Sequence, residues 1–152
     1  MAVTAIINSK PPAPLWLREL ASARTSYEEE LGWPAHMEVT HRRLTVEVGG
    51  VLAAVSMPVP LGSDVLAELR LMMLTGPVLV SPGDRWTFLT AAPAHSSPVL
   101  CPSLGAAGVR NVPHGTTIVL PCDLGSVEWI VEPSRSLPPW YTVVGAARRV
   151  LG

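Results

Sequence analysis

The 152-residue sequence has one lysine, one phenylalanine and two cysteines, and each shortage excludes something. Cys101 and Cys122 are too few for a disulfide framework, so two unpaired thiols are expected. No C-x-x-C pair occurs, which removes the commonest zinc and redox signatures. G-x-S-x-G, the P-loop and G-x-G-x-x-G are also missing, and with them the common hydrolase and nucleotide-binding fingerprints. No apolar run approaches the about 18 residues that a spanning helix needs. The start, MAVTAIINSKPPAPLW, lacks the charged and long apolar regions of a secretory signal. With a net charge of −1 and no basic stripe, a strong field for non-specific nucleic-acid binding is absent. These absences point to a soluble, cytoplasmic protein with no membrane partner.

What remains is apolar: 48% of the residues, with only 15% charged, is a globular composition. The length suits one domain, expected over 15–152 after an N-terminal arm over 1–14. Five tryptophans and few other aromatics leave Val, Leu, Ile and Ala to build most of the core. Ten of the eleven basic residues are arginines, and the local pairs Arg42-Arg43 and Arg148-Arg149 form no larger basic patch.

Along the chain, a short apolar run at 3–7 ends in the prolines before Leu15. Leu17, Leu20, Ala21, Tyr27 and Leu31 recur at helical spacing, so a helix is expected over 15–31, with Pro14 at its start and Gly32 as its stop. Glu28-Glu29-Glu30 lie at the end where the macrodipole disfavours negative charge. They read as a solvated helix end or, alternatively, an acidic docking patch. Strands are expected over 37–40 and 44–48, with Gly49-Gly50 as a two-residue hairpin turn into a buried strand over 51–57. A helix over 65–74, capped by Ser63 or Asp64, would bury Leu66, Leu69, Met72 and Met73. Further strands are expected over 78–80, 85–90 and 127–131, with 109–112 and 116–120 as a pair around Pro113-His114-Gly115. Residues 91–108 lack periodicity and read as a long loop, and 140–151 reads as a final helix after Pro139. The fold class is therefore α+β: a mixed, largely antiparallel sheet with two or three packing helices.

Candidate chemistry is sparse. His36, His41, Cys101 and Cys122 have four-ligand chemistry, but their spacing places no two on one element, so no metal site is assigned. Cys122 with His114 has the composition of a nucleophilic pair, yet Asp123 beside the thiol would raise its pKa rather than lower it. The acids Glu38, Glu47, Asp64, Glu68, Asp84, Asp123, Glu128 and Glu132 fall mostly at solvent-facing or turn positions. No catalytic residue and no cofactor is assigned. Arg85, Trp86, Arg110 and His114 suit a shallow binding patch, since indole stacks on bases and guanidinium forks match phosphate.

The order of segments over 15–131 resembles the N-terminal domain of bifunctional DNA primase-polymerases, of the archaeo-eukaryotic primase superfamily. Leu31-Gly32-Trp33-Pro34 is similar to the family's Gly-Trp-Pro element after an opening helix. Residues 51–56 with Leu61-Gly62 and the following helix resemble its first motif, where an Asp-x-Asp ends an apolar strand. Residues 83–89 look like the strand that carries the family's histidine, and 109–121 like its third motif. Glu128-Trp129-Ile130 resembles its closing aromatic strand. The resemblance implies a primase-polymerase-like fold and two-metal nucleotidyl transfer. The motif positions are nevertheless degenerate. Ala54 and Ser56 stand where the first acids belong, Trp86 or Thr87 at the histidine, and Arg110 or Asn111 at the third acid. A hard cation has no ligands in that set. The expectation is a non-catalytic module that binds an unidentified protein partner or self-associates. The alternative is a nucleotide or single-stranded nucleic-acid binder.

Overall fold

Pro14 and Gly32 bracket the first helix, α1 (Leu15–Leu31), as the sequence predicts. Pro14 stands one position outside it, with φ −55° and ψ 149°, so its ring removes no helical hydrogen bond. Gly32 adopts the left-handed conformation at φ 71°, and its N–H donates to the Glu28 carbonyl at 3.0 Å. The computed structural model describes residues 11–93, 99–122 and 127–152; the expected apolar run at 3–7, His95 and Asp123 lie outside them.

Two strands follow, β1 (Ala35–Glu38) and β2 (Arg43–Glu47), then β3 (Leu52–Pro58) and the helix α2 (Val59–Leu71). Next come β4 (Val78–Ser81), β5 (Arg85–Ala91) and a short helix α3 (Pro102–Ala106). The chain ends with β6 (Arg110–Asn111), β7 (Thr117–Leu120), β8 (Trp129–Val131) and α4 (Trp140–Leu151). The fold is α+β. Among the described residues the strands form two antiparallel sheets, ordered β1-β2-β7 and β6-β3-β5-β4-β8.

The pairing differs from the sequence reading at two places, for one reason. Gly49-Gly50 does not close a hairpin: β2 pairs with β7, and β3 with β5 and β6. Pro113-His114-Gly115 likewise separates β6 and β7 rather than joining them as partners. Both segments carry the chain from one sheet to the other, the corner device of packed sheets. They cross side by side. Val48 N–H donates to the Thr116 carbonyl at 2.9 Å, and Gly115 N–H to the Val48 carbonyl at 2.8 Å. Gly49, at φ 120°, admits this approach, because a Cβ there would stand 3.0 Å from His114 Cγ.

The second helix also begins earlier than its polar residues suggest. Pro58 occupies the cap position and Pro60 the first turn, where a missing N–H costs nothing, so Ser63 and Asp64 fall inside the helix. The helix therefore ends at Leu71. Leu66 and Leu69 are buried as expected, whereas Met73, past the end at φ 57°, is 89% exposed. Within the expected loop at 91–108, α3 buries Leu104.

Side chains alternate across the five-stranded sheet and build a core on each face. Val55, Met57, Val78 and Phe88 meet α2 and α4 on one face, with Leu66, Leu69, Val143 and Ala147. Leu52, Ala54, Leu79 and Leu89 meet the three-stranded sheet and α1 on the other, with Leu20, Trp33, Leu44 and Leu120. β3 lies between two paired strands with four buried residues in a row, the central strand its composition predicts. No described helix is long and apolar enough to cross a membrane.

Candidate anion site at the end of β3

The register of β3 determines which side chains meet at its end. Ser56 is opposite Thr87 on one side and Arg110 on the other, and Pro58 is opposite Arg85. Partners across a ladder share a face, and so do residues two apart. Ser56, Arg85, Thr87 and Arg110 therefore line one face, beyond the apolar patch that Leu52 and Ala54 give to the core between the sheets.

Arg85 is anchored there. Its Nε donates to Ser56 Oγ at 2.8 Å and its Nη2 to the Gly108 carbonyl at 2.5 Å. Burial, and then the charge of Arg110, hold its pKa below the usual arginine value, though a guanidinium remains a cation at any working pH. Ser81 and Thr87 hydroxyls hydrogen-bond each other next along the same face. Among the described residues the ion pairs are Arg24–Glu28, His41–Glu38, Arg43–Glu38 and Arg149–Glu68; none involves Arg85 or Arg110. Two guanidinium groups thus share a strand end with hydroxyl donors and no paired carboxylate. Such a set matches a tetrahedral or planar anion, because each guanidinium presents parallel N–H groups in a fixed fork.

The four residues expected to form one patch are divided by the fold. Arg85 and Arg110 come together. Trp86 points to the opposite face, half-buried in the helix-side core against Gly62 of α2, where a Cβ would meet its Cε3 at 3.2 Å. His114 is exposed at the crossing beside Gly49 and lines a small cleft of about 60 Å³ with Ala53, Ala54 and Asn111. Trp140 closes that cleft, its indole N–H donating to Asn111 Oδ1 at 2.8 Å.

The positions resembling primase metal acids are equally specific. Ala54 is 2% exposed in the core between the sheets, and its carbonyl accepts the Val112 N–H at 3.0 Å. Ser56 accepts from Arg85. Of the acids around this segment, Asp84 adjoins Arg85 in the turn before β5, where its carbonyl accepts the Val59 N–H at 3.0 Å, and Glu68 pairs with Arg149. Glu47 ends β2 in the other sheet, and Asp64 rides on α2, which covers the opposite face. Among the described residues no group of three or more His, Cys, Asp and Glu is placed to hold a metal.

The other chemical pairs are also separated. Both cysteines are free thiols; Cys101 packs on the helix-side core and Cys122 on the core between the sheets. The Ser103 hydroxyl, first, and the Leu104 backbone hold the half-buried Cys101 thiol below its ordinary pKa. His114 and Cys122 flank opposite ends of β7, with the strand between them. The Gly108 carbonyl, which orients Arg85, carries no local sequence signal, since it lies 23 residues away in the chain. Compared with family models, curated proteins and solved structures, the chain matches none of them.

Proposed function

We propose that this protein is a non-catalytic binding module whose β3 end takes a phosphate-bearing ligand, a nucleotide or a single-stranded nucleic acid. The observation that carries this reading is the Arg85–Ser56–Arg110 constellation, a half-buried and anchored guanidinium beside an exposed one. It also bears on the resemblance to primase-polymerases, which we retain as a proposal about the scaffold. Where that family would hold divalent cations with carboxylates, this chain holds two cations of its own, and these repel a metal ion. Trp86 lies on the other face, so base stacking does not come from it, and the contact is to phosphate rather than to sequence.

The test is a titration of a short oligothymidylate and of a nucleoside triphosphate at low and then rising salt. Binding that weakens as salt rises, and that Arg110→Ala reduces about tenfold, supports the reading. No measurable binding at low salt rejects it. Primer synthesis dependent on a divalent metal would reject the non-catalytic part.

A second reading, a protein-interaction or regulatory module, is favoured by a different observation. Leu71, Met73 and Leu74, where α2 ends, are 83%, 89% and 45% exposed, an apolar knuckle that solvent does not favour. Self-association through this knuckle predicts a concentration-dependent sedimentation coefficient that Leu71→Ser/Met73→Ser removes. An unchanged coefficient in that variant would discard self-association through these residues.

A further inference from the structure

A groove of about 490 Å³ runs along α1. One wall is the stripe Glu19, Ser22, Ala23, Ser26, Tyr27, Glu30 of α1, spaced by three and four residues and therefore on a single helix face. The facing wall is formed by Cys122, Trp129 and Glu132. The small side chains Ser22, Ala23 and Ser26 give the groove its depth. Tyr27 and Trp129 give it a rigid aromatic floor: the indole N–H donates to the Tyr27 hydroxyl at 3.2 Å, and that hydroxyl donates to the Pro121 carbonyl. Trp33 stacks beneath Tyr27, with ring centroids 5.9 Å apart.

The ionisable carboxyl groups are at the ends of this groove, and among the described residues no lysine or arginine lines it. Glu19 marks one end and Glu30 the other; Glu132 lies on the facing wall between Trp129, which bonds Tyr27, and Arg135, which bonds the Glu30 carbonyl. Glu30 also sits in the last turn of α1, where the macrodipole adds negative potential; Arg135 offsets part of it, its Nε donating to the Glu30 carbonyl at 3.1 Å, while the Glu30 and Glu132 carboxylates form no ion pair among the described residues. The acids lining the groove form none of the ion pairs seen among the described residues, unlike Glu28, Glu38 and Glu68. Eleven helical residues separate Glu19 from Glu30, roughly 16 Å at 1.5 Å per residue. An extended peptide covers that distance in about five residues.

We infer that this groove is a docking site for an extended basic peptide of a protein partner, with cationic residues about five positions apart held by Glu19 at one end and Glu30 at the other, with Glu132 on the facing wall. Aliphatic side chains between them lie over Ser22, Ala23 and Ser26, and the half-buried indole of Trp129 favours the cation that enters beside Glu30. The site is separate from the β3 end: α1 and the arginine pair share no residue and carry opposite charge. Failure of either reading leaves the other standing.

The experiment titrates the full chain, by calorimetry near physiological salt, with the capped hexapeptide Arg-Ala-Val-Leu-Ala-Arg and with its counterpart ending in glutamates. Saturable binding of the arginine peptide alone is expected. Glu19→Gln/Glu30→Gln/Glu132→Gln, exposed substitutions that keep the side-chain shape, should weaken it at least tenfold. Glu28→Gln/Glu29→Gln removes two charges from the same helix outside the groove and should change affinity less than twofold. No saturation by the arginine peptide, or equal weakening in the two variants, overturns the proposal. Tight binding of spermine without binding of the peptide overturns it as well, because the groove would then select a free polyamine.

Discussion

The β3 end and the α1 groove oppose each other in charge and in how their charges are held, although the whole chain sums to only −1. At the β3 end a cation is fixed in place: Arg85 spends two donors on Ser56 and Gly108, and its neighbour Arg110 is left exposed. In the groove the anions are loose at the rim, and rigidity comes from the aromatic floor of Tyr27, Trp33 and Trp129. A fixed charge selects by geometry, whereas loose charges around a rigid floor select by length and spacing. The near-neutral total conceals both.

The largest effect that separates the two regions comes from Trp33, which is 1% exposed and tilts against Trp129 at a centroid distance of 6.1 Å. Trp33→Ala removes the support under Tyr27 and is expected to lower stability by about 3–5 kcal/mol in a denaturant titration. If the variant stays folded at low temperature, salt-sensitive oligonucleotide binding should persist while the groove ligand is lost. Loss of both together would mean that the regions are coupled.

Next in size is the contrast between the two arginines. Arg85→Ala strands a serine hydroxyl and a carbonyl in half-buried surroundings, so a stability loss of about 1–2 kcal/mol is expected. Arg110→Ala, at an exposed position, should cost less than about 0.5 kcal/mol while weakening anion binding about tenfold, as Arg85→Ala should. Equal stability losses would remove the distinction between an anchored and a mobile cation.

Both helix ends marked by local punctuation were legible in the sequence. Pro14 with Gly32, and Pro139, act on their own neighbours, and α1 and α4 begin and end where those residues require. Sheet partners were not legible. Gly49-Gly50 has hairpin chemistry, but whether β2 turns back on β3 or crosses to the other sheet depends on β7, some seventy residues later. Prolines at 58 and 60 resemble strand stops and helix breakers until one sees that a first helical turn tolerates both. Grouping Arg85 with Trp86 in one patch was the misreading that strand geometry corrects, because neighbours in a strand point to opposite faces. Pairing of Arg110 with Ser56 was not legible, since it requires the register of a two-residue strand. The acids of the groove were legible one at a time, and only the fold aligns Glu132 with α1.

The Tyr27 hydroxyl gives a smaller effect with a definite sign. Burial raises its pKa above the ordinary 10.0, opposed in part by the Trp129 N–H. A raised folded-state pKa means stability fully present below about pH 10 and lost as pH climbs through the folded value. Wild type should therefore lose stability on the alkaline side of pH 10 more steeply than Tyr27→Phe, measured by denaturant midpoints. The phenylalanine variant should begin about 1 kcal/mol lower at neutral pH, having lost the hydroxyl's two partners. Parallel alkaline limbs would show that Tyr27 is not the group responsible, and that the floor of the groove is less buried than its packing indicates.

The smallest effect supplies the control for the charge argument, at a place where an acid does have partners. Glu38 on β1 accepts from Arg43 Nε at 2.8 Å across the hairpin and hydrogen-bonds the His41 ring. Arg43 first, and His41 second, hold its pKa below the ordinary carboxylate value. For a depressed pKa the sign is the reverse of tyrosine's: the contribution is present above the unfolded value and lost as pH falls through the folded one. Being exposed, the cluster should shift the acid limb only slightly, in a direction that Arg43→Ala diminishes and added salt weakens. Glu19, Glu30 and Glu132 form no such ion pair among the described residues. Adding the arginine peptide should then supply what Arg43 supplies to Glu38, and separate the acid limbs of the wild type and the triple glutamine variant. If the peptide does not separate the two limbs, those carboxylates are ordinary solvated charges, and the contrast between the two ends of the molecule reduces to the arginines alone.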